Sequence, residues 1–301
     1  MVMRSAPVVA GFDGSPESLA AAERAAREAL ERGTPLRLLH ARPLLPHLLP
    51  ASAFRREEGE RGRGLHEVVS ELVRRHRGLE VSGVEVVDTA GSALVAASEE
   101  AELVVVGSSV RASAPPGLLP GRVGLHTVAR AYSPVLLVRP LPPAPALLKD
   151  DGAGPPVPEI VVGVDSRAPA EAALEYAFAA AARRQGTLRA VDARPASADP
   201  EDDPLAGPLA LLRKRYPEVR VVKEVRSDRP GRALVAAATR AGLLVVGRRA
   251  APCSPSELGP VVRAVLRYSR TTVAVVPEPA PLPVRVPGPW QPLSRPSSGA
   301  A

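Results

Sequence analysis

The feature that most constrains the fold is an internal repeat, because two copies of one sequence pattern imply two copies of one architecture. Asp13 ends the run VVAGFD in the first copy, and Asp165 ends IVVGVD in the second, 152 residues later. Gly107 ends LVVVG, and Gly247 ends LLVVG 140 residues later. Matched segments in one order, at two constant offsets, indicate a duplicated domain rather than a chance similarity.

The repeat divides the chain into four parts. We assign residues 1–140 to a first domain and residues 158–278 to a second, shorter domain. Residues 141–157 form a linker rich in Pro and Gly. Residues 279–301 form a Pro-rich tail that is predicted to be disordered, because proline continues neither a helix nor a central strand.

Each copy alternates short apolar runs with stretches of helical periodicity. Strands that are apolar on both faces and joined by helical crossovers predict a parallel sheet covered on both sides. The predicted fold class is therefore α/β, with two homologous doubly wound five-stranded parallel-sheet domains, each a Rossmann-like three-layer sandwich. In the first copy the predicted strands cover 7–12, 36–41, 81–87, 103–106 and 135–138, and the predicted helices cover 16–33, 55–77, 93–100 and 121–131.

Composition excludes several classes of function. The single Cys253 allows no intrachain disulfide, and the five histidines lack metal-ligand spacing. Loops of the Walker, GxGxxG and GxSxG types are absent. The formal net charge is +7, but basic residues are scattered along the chain and aromatic residues make up 3%, which argues against specific nucleic-acid binding. No apolar run reaches membrane length, so we expect a soluble cytoplasmic protein with no membrane partner.

Residues at the carboxyl ends of predicted strands are candidates for a binding site, because ligands of doubly wound sheets bind there. Asp13 and Asp165 follow the first strand of each copy, where a carboxylate either accepts hydrogen bonds from a ligand or caps the following helix. Gly107 and Gly247 end the fourth strand, where glycine permits a sharp turn or the close approach of a ligand. Both interpretations of each pair stay open at this point.

The loop after the fourth strand of the first copy is a candidate anion site. Gly121 heads a predicted helix, whose free N–H groups and positive dipole end attract an anion. Arg111 and Arg122 add positive charge. A plain turn between strand and helix explains the same residues equally well. His40, at the end of the second strand, is replaced by Asp192 in the second copy, and a lone histidine there is more typical of packing than of catalysis.

These segments resemble the universal stress protein family in its tandem two-domain form. In the first copy the resemblance lies in VVAGFDGSPESLAAAERAAREA, DTAGSALVAASEEAELVVVGSS and GLLPGRVGLHTVARAYSPVLLV. In the second copy it lies in IVVGVDSRAPAEAALEYAFAAA, RPGRALVAAATRAGLLVVGRR and LGPVVRAVLRYSRTTVAVV. The resemblance is specific, because several motifs occur in the same order twice.

The resemblance implies a five-stranded parallel domain, often dimeric, whose fifth strand pairs with that of another domain. Here residues 135–138 and 272–276 are expected to pair within one chain as a pseudo-dimer, and the family also forms homodimers and contacts with other proteins. Many members bind ATP next to the fourth strand. The residues carried over to such a site are Asp13, Ala41, Gly107, Ser109, Gly121, Arg122 and Val123 in the first domain, with Asp165, Gly247 and Gly259 at the weaker equivalent site of the second.

The ATP signature of the family, G-x2-G-x9-G-[S/T], is altered in both copies. In the first copy Val110 replaces the second glycine, the spacer is ten residues instead of nine, and Arg122 replaces the small hydroxyl residue. In the second copy Ala250 replaces the glycine, the spacer is one residue short, and Pro260 removes one N–H donor. The second domain is therefore predicted to be the weaker nucleotide site.

Three functions follow, in order of preference. The first is a non-catalytic cytoplasmic stress-response regulator that has either a degenerate adenine-nucleotide site or no such site, and works through contacts with other proteins. The second is a genuine ATP sensor that binds nucleotide in its first domain. The remote third is an enzyme of the adenine-nucleotide α-hydrolase-like group, which usually carries an SGGxDS-type loop where this chain reads GFDGSPES. We therefore expect no catalysis.

Overall fold

The computed structural model describes residues 5–42, 64–108, 121–139, 158–165, 170–193, 205–249 and 258–278. The predicted linker (141–157) and the predicted tail (279–301) lie outside these ranges. The candidate residue Ser109 and the altered signature positions Val110 and Ala250 also lie outside them, as does the first part of the helix predicted over 55–77.

The first half of the chain follows the predicted order of strands and helices. Its strands are β1 (Val8–Gly11), β2 (Leu36–Arg42), β3 (Val81–Val87), β4 (Leu103–Gly107) and β5 (Val135–Val138). Its helices are α1 (Pro16–Arg32), α2 (Leu65–Arg75), α3 (Ala90–Ala97) and α4 (Arg122–Arg130).

The second half repeats the same order. Its strands are β6 (Glu159–Val164), β7 (Thr187–Ala193), β8 (Arg220–Arg226), β9 (Leu243–Arg248) and β10 (Val273–Pro277). Its helices are α5 (Glu171–Arg183), α6 (Ala206–Arg215), α7 (Pro230–Ala237) and α8 (Pro260–Tyr268), with a 3₁₀ turn at Ala238–Arg240.

All ten strands form one continuous sheet in the order β3-β2-β1-β4-β5-β10-β9-β6-β7-β8. Within each half the strands are parallel, and the halves meet where β5 pairs antiparallel with β10, with Leu136 opposite Ala274. The predicted fold class is confirmed, and the fifth strands pair within the chain as expected. The two halves are therefore related as the subunits of a dimer would be.

Each face of the sheet carries one apolar core that runs through both halves. Face one, covered by α1, α2, α5 and α6, takes Leu136 from β5 and Ala274 from β10. Face two, covered by α3, α4, α7 and α8, takes Leu137 and Val273 from the same two strands. Because strand side chains alternate between faces, the central pair contributes to both cores. Burial of this shared surface, at about 25 cal/mol per Å² of apolar area, holds the halves together.

Local signals explain where the first helix begins and ends. The Ser15 hydroxyl accepts a hydrogen bond from the Ser18 amide at 3.2 Å, and Pro16 occupies the first helical position, where no N–H is needed. Gly33 ends the helix in the left-handed conformation, with φ of 66°. In the second half Gln185 occupies the equivalent position with φ of 50°, a conformation that costs a residue with a side chain more than glycine.

The predicted bounds of the third helix were wrong. The sequence pattern placed it over 93–100, whereas α3 covers Ala90–Ala97. The Thr89 hydroxyl accepts a hydrogen bond from the Ser92 amide at 3.4 Å and so fixes an earlier start. Apolar periodicity alone did not register this cap.

A buried cluster of charges lies between α1 and α5. The Glu28 side chain is 1% exposed and pairs with Arg24 and Arg32 of its own half. Arg184 of the second half donates to the same carboxylate. Burial raises the pKa of Glu28, but the three guanidinium groups outweigh this and hold the pKa below its ordinary value. The repeat offset makes Arg32 and Arg184 counterparts, yet it places Ala180 at the position of Glu28, so the cluster is asymmetric.

Two arginines also bond across the junction of the halves. Arg139, next to the end of β5, donates to carbonyl groups at the C-terminal end of α8, including that of Leu266. Arg248, at the end of β9, donates to carbonyl groups at the C-terminal end of α4, including that of Ala129 at 2.5 Å. Burial lowers the pKa of Arg139 to about 10, so it stays charged at neutral pH, as suits a helix C-terminus.

Candidate functional site

The site lies where the order of strands reverses in the first half. β1 lies between β2 and β4 in the sheet, and this reversal of strand order makes the carboxyl ends of β1 and β4 the expected position of a ligand. Asp13 follows β1, Ala41 lies near the end of β2, and Gly107 ends β4. The fold therefore brings these three predicted residues to one edge of the sheet.

Asp13 is tied to the start of α1. Its Oδ1 accepts hydrogen bonds from the Ser15 amide at 3.0 Å and from the Ser15 hydroxyl at 2.5 Å. Burial raises the pKa of Asp13, but these bonds, a bond from Ser18 and the charge of His40 outweigh it and lower the pKa. The carboxylate therefore orients the N-cap serine, while part of the residue stays accessible to solvent at this edge of the sheet.

His40 connects the ends of β1 and β2. Its Nδ1 lies 2.9 Å from the Phe12 carbonyl oxygen, and the two rings meet edge to face with their centres 6.2 Å apart. From the sequence, His40 was expected to pack rather than to act in catalysis, and this contact fits that expectation. By fixing the carbonyl group before Asp13, the imidazole also steadies the backbone that presents that carboxylate.

The glycines that end β4 and β9 permit close packing of a helix. A Cβ on Gly107 would lie 2.6 Å from the carbonyl carbon of Glu17, in the first turn of α1. A Cβ on Gly247 would lie 2.7 Å from the Ala170 side chain, just before α5. From the sequence, each glycine was expected to permit a sharp turn or the approach of a ligand. In the structure, each also permits close contact between the end of a strand and a helix.

The N-terminal end of α4 faces the same edge without a side-chain cap. Gly121 is the N-cap residue and has no side chain to satisfy the first N–H groups of the helix. Arg122 and Val123 follow as the first two helical residues, and both are exposed. The described residues thus leave backbone donors and the positive dipole end open to an anion.

Sequence reasoning missed Ser108. Its amide donates to the Val138 carbonyl at 2.8 Å, while its hydroxyl is completely buried and has no hydrogen-bond partner among the described residues. An unsatisfied buried hydroxyl is costly, so a polar group of a ligand or a water molecule is a natural partner. In the sequence, its position directly after Gly107 was the signal that could have pointed to it.

The equivalent edge of the second half is occupied by its own side chains. Arg249, which follows β9, forms an ion pair with Asp165 at 3.4 Å. Gly259 is the N-cap of α8, but the first helical residue is Pro260, which has no N–H. The second half therefore offers one donor fewer and an aspartate that already has a cationic partner.

Other classes of site find no support within the described residues. There, no group of three or more His, Cys, Asp or Glu side chains is arranged to hold a metal ion. Among the helices of those same ranges, none has the length and apolar character needed to cross a membrane.

Comparisons with known proteins agree with the fold and with the repeat. The sequence model of the Universal stress protein family matches this chain twice, over residues 5–139 and 157–277. The universal stress protein Rv2005c of Mycobacterium tuberculosis is 34% identical over 293 residues, covering 89% of this chain and 96% of the relative. The universal stress protein Rv2623 of the same organism is 31% identical over 299 residues, covering 90% and 96%.

Solved structures show the same architecture. A universal stress protein from Archaeoglobus fulgidus superposes with a TM-score of 0.64 at 20% identity, covering 92% of this chain and 100% of that one. At this identity the likeness concerns the fold. Together with the doubled match of the family model, it confirms the resemblance drawn from the sequence motifs. The chain belongs to the universal stress protein family and carries two family domains in tandem.

Proposed function

We propose that this protein is a non-catalytic, cytoplasmic stress-response regulator that holds a degenerate adenine-nucleotide site in its first half and works through contacts with other proteins. The family resemblance supplies the nucleotide class. The observation that carries the assignment to one half is the contrast between the open start of α4 and the start of α8, where Pro260 lacks an N–H and Arg249 pairs with Asp165.

The candidate residues would hold a nucleotide by simple electrostatics. The N–H groups at the start of α4 and the Arg122 guanidinium suit the phosphates. The Ser108 hydroxyl, which has no partner among the described residues, adds a donor at the end of β4. Asp13 would accept hydrogen bonds from ribose hydroxyls. Arg122, in place of a small residue, and the altered spacer make this a weakened version of the family site.

The chemistry of the same residues argues against turnover. A general base works best when its pKa lies near the operating pH. The pKa of Asp13 is lowered by its bonds to Ser15 and Ser18 and by His40, despite burial, which makes it a weak base at neutral pH. A weak base at Asp13 is in keeping with the proposed binding of a nucleotide without turnover.

A second candidate function is an ATP sensor in which occupancy of the first half changes the affinity for a partner. The buried Ser108 hydroxyl favours it, because a polar group that lacks a partner is satisfied when a ligand arrives. The two functions differ in affinity. A degenerate site implies a dissociation constant of about 1 mM, and a sensor implies a dissociation constant of about 1 μM.

Calorimetric titration of the full chain with ATP tests both functions. Asp13→Ala and Gly121→Val should abolish the heat of binding, and the matched variants Asp165→Ala and Gly259→Val should leave it unchanged. Binding that disappears only with the second pair would overturn the assignment to the first half. Appearance of AMP and pyrophosphate during incubation would instead establish the hydrolase alternative.

A further inference from the structure

Face two of the sheet carries an unusual set of charges. Its helices α4 (RVGLHTVAR) and α8 (PVVRAVLRY) contain no acidic residue. Both helices flank the central β5–β10 pair, because Arg139 and Arg248 tie their C-terminal ends to the opposite halves. The arginines on these helices, with one just beyond α8, are all exposed: Arg122, Arg130, Arg263, Arg267 and Arg270.

The helices of face one differ, because most of their arginines have acidic partners. Ion pairs join basic and acidic side chains within a helix and between helices, although Arg213 and Lys214 of α6 form no ion pair among the described residues. The pairs include Arg24–Glu28, Arg27–Glu23, Arg75–Glu71, Arg184–Glu31 and Arg215–Glu175.

Within the described part of the chain, the five arginines of face two form no ion pair. Arg130 bonds to His126 at 2.9 Å, and Arg267 lies over the Tyr268 ring at 5.5 Å. The acidic residues that follow α3, Glu99 and Glu100, pair with none of them. Five exposed cations without counter-charges produce a positive surface, which attracts a negatively charged partner.

Exposed aromatic groups lie at the ends of the same two helices. Tyr132, just after α4, is 68% exposed, and Tyr268, the last residue of α8, is 48% exposed. Val123 at the start of α4 is 38% exposed. Tyrosine and arginine together are typical of surfaces that bind other proteins, since both provide large contact areas along with hydrogen bonds.

We infer that this surface, the α4–α8 face, docks an acidic segment of a partner protein. Nucleic acid fits it less well, because single strands bind in grooves lined with several stacking rings. Two tyrosines are exposed here, and Arg267 already covers one of them. The inference goes beyond the proposed nucleotide site, with which this surface shares Arg122 but none of the other four arginines.

The test compares two charge reversals of equal size in the full chain. Arg263→Glu with Arg267→Glu changes α8, and Arg213→Glu with Lys214→Glu changes exposed positions of α6 on face one. The probes are a fluorescein-labelled peptide of alternating Glu and Leu, the same peptide with Gln in place of Glu, and labelled oligothymidylate. Fluorescence anisotropy reports binding, and circular dichroism confirms that both variants are folded.

The α8 reversal should weaken binding of the Glu peptide by about tenfold, and the α6 reversal should change it by less than about twofold. The Gln peptide should not bind. Tyr132→Ala, which alters no charge, should weaken binding by about threefold through lost contact area. Equal losses in the two reversals, or tighter binding of oligothymidylate with the same dependence on α8, would overturn the inference.

Discussion

The two halves share one fold but use the carboxyl edge of their strands differently. In the first half this edge carries Asp13, the uncapped start of α4 and the buried Ser108 hydroxyl. In the second half the residue equivalent to Ser108 is Arg248, which bonds to the end of α4 instead. The residue at this position thus bonds within its own half in the first copy and across the junction in the second.

The largest effect is expected from Glu28, where the halves meet. Glu28→Gln leaves three arginines around a neutral amide, and removal of one partner from a buried ion pair costs about 3–5 kcal/mol of unfolding free energy. Urea unfolding measures the loss. The control Glu175→Gln breaks an exposed pair with Arg215 and should cost less than about 1 kcal/mol. Similar losses in both variants would contradict the picture of a buried cluster.

The same carboxylate predicts a dependence on pH. The pKa of Glu28 is lower in the folded chain than the ordinary value of 4.5, because the arginines outweigh burial. Its contribution is therefore complete above about pH 4.5 and is lost as the pH falls through the folded pKa. The stability difference between the natural chain and Glu28→Gln should shrink in acid. A difference that stays constant from neutral pH to strong acid would exclude the charged form as its source.

Neighbouring arginines on α5 should respond in opposite directions. Arg183 has Nε and Nη2 atoms that are buried without a hydrogen-bond partner, and burial, followed by the charge of Arg32, lowers its pKa. Arg183→Met should therefore raise the unfolding free energy by about 1–2 kcal/mol. Arg184→Met removes a partner of Glu28 and should lower it by about 2–3 kcal/mol. Thermal unfolding separates the two, and a shift of the same sign in both would refute this distinction.

Two substitutions in the second half test why its nucleotide site is expected to be weaker than that of the first half. Arg249→Ser removes the ion pair with Asp165, and Pro260→Ala restores an N–H at the start of α8. In a chain whose first half carries Gly121→Val, the repaired second half should bind ATP about tenfold more tightly than the unrepaired one. Calorimetry measures the change. An unaltered titration would show that the ion pair and the proline are not what separates the two halves.

The smallest effect concerns the ends of α1 and α5. Gln185→Gly relieves a left-handed conformation and should stabilise the chain by about 0.5–1 kcal/mol. The reciprocal change Gly33→Gln places a side chain at φ of 66° and should destabilise by a similar amount. The midpoint of thermal unfolding records both. If the two changes moved it in the same direction, backbone strain would not explain the difference.

The fold was predictable because its signals are local and occur twice. Apolar runs such as those ending at Gly107 and Gly247 predicted the strands, and the cap at Ser15 predicted the start of α1. The pairing of β5 with β10 was expected from the family resemblance, and the structure contains it. The bounds of helices were harder to predict. The Thr89 cap of α3 leaves no mark in the pattern of apolar residues.

The candidate site was predictable only in outline. The sequence indicated the edge of the sheet at which the candidate residues lie, but not the bonds of Asp13 to Ser15 or the buried hydroxyl of Ser108. The contacts of Glu28 with Arg184 and of Arg248 with Ala129 join residues more than a hundred positions apart. Such contacts depend on how the halves pack, and a pattern of neighbouring residues carries no information about that.

The buried Glu28 carboxylate, which lies between α1 and α5 and has Ala180 as its counterpart, affects how the halves can assemble. Two copies of the second half would bring Arg184 to Ala180 and would find no acid to neutralise it, whereas two copies of the first half would place two Glu28 carboxylates in one buried space. Each half is therefore expected to pair more stably with the other half than with a second copy of itself. Fragments produced by a cut in the linker should therefore recombine as unlike pairs.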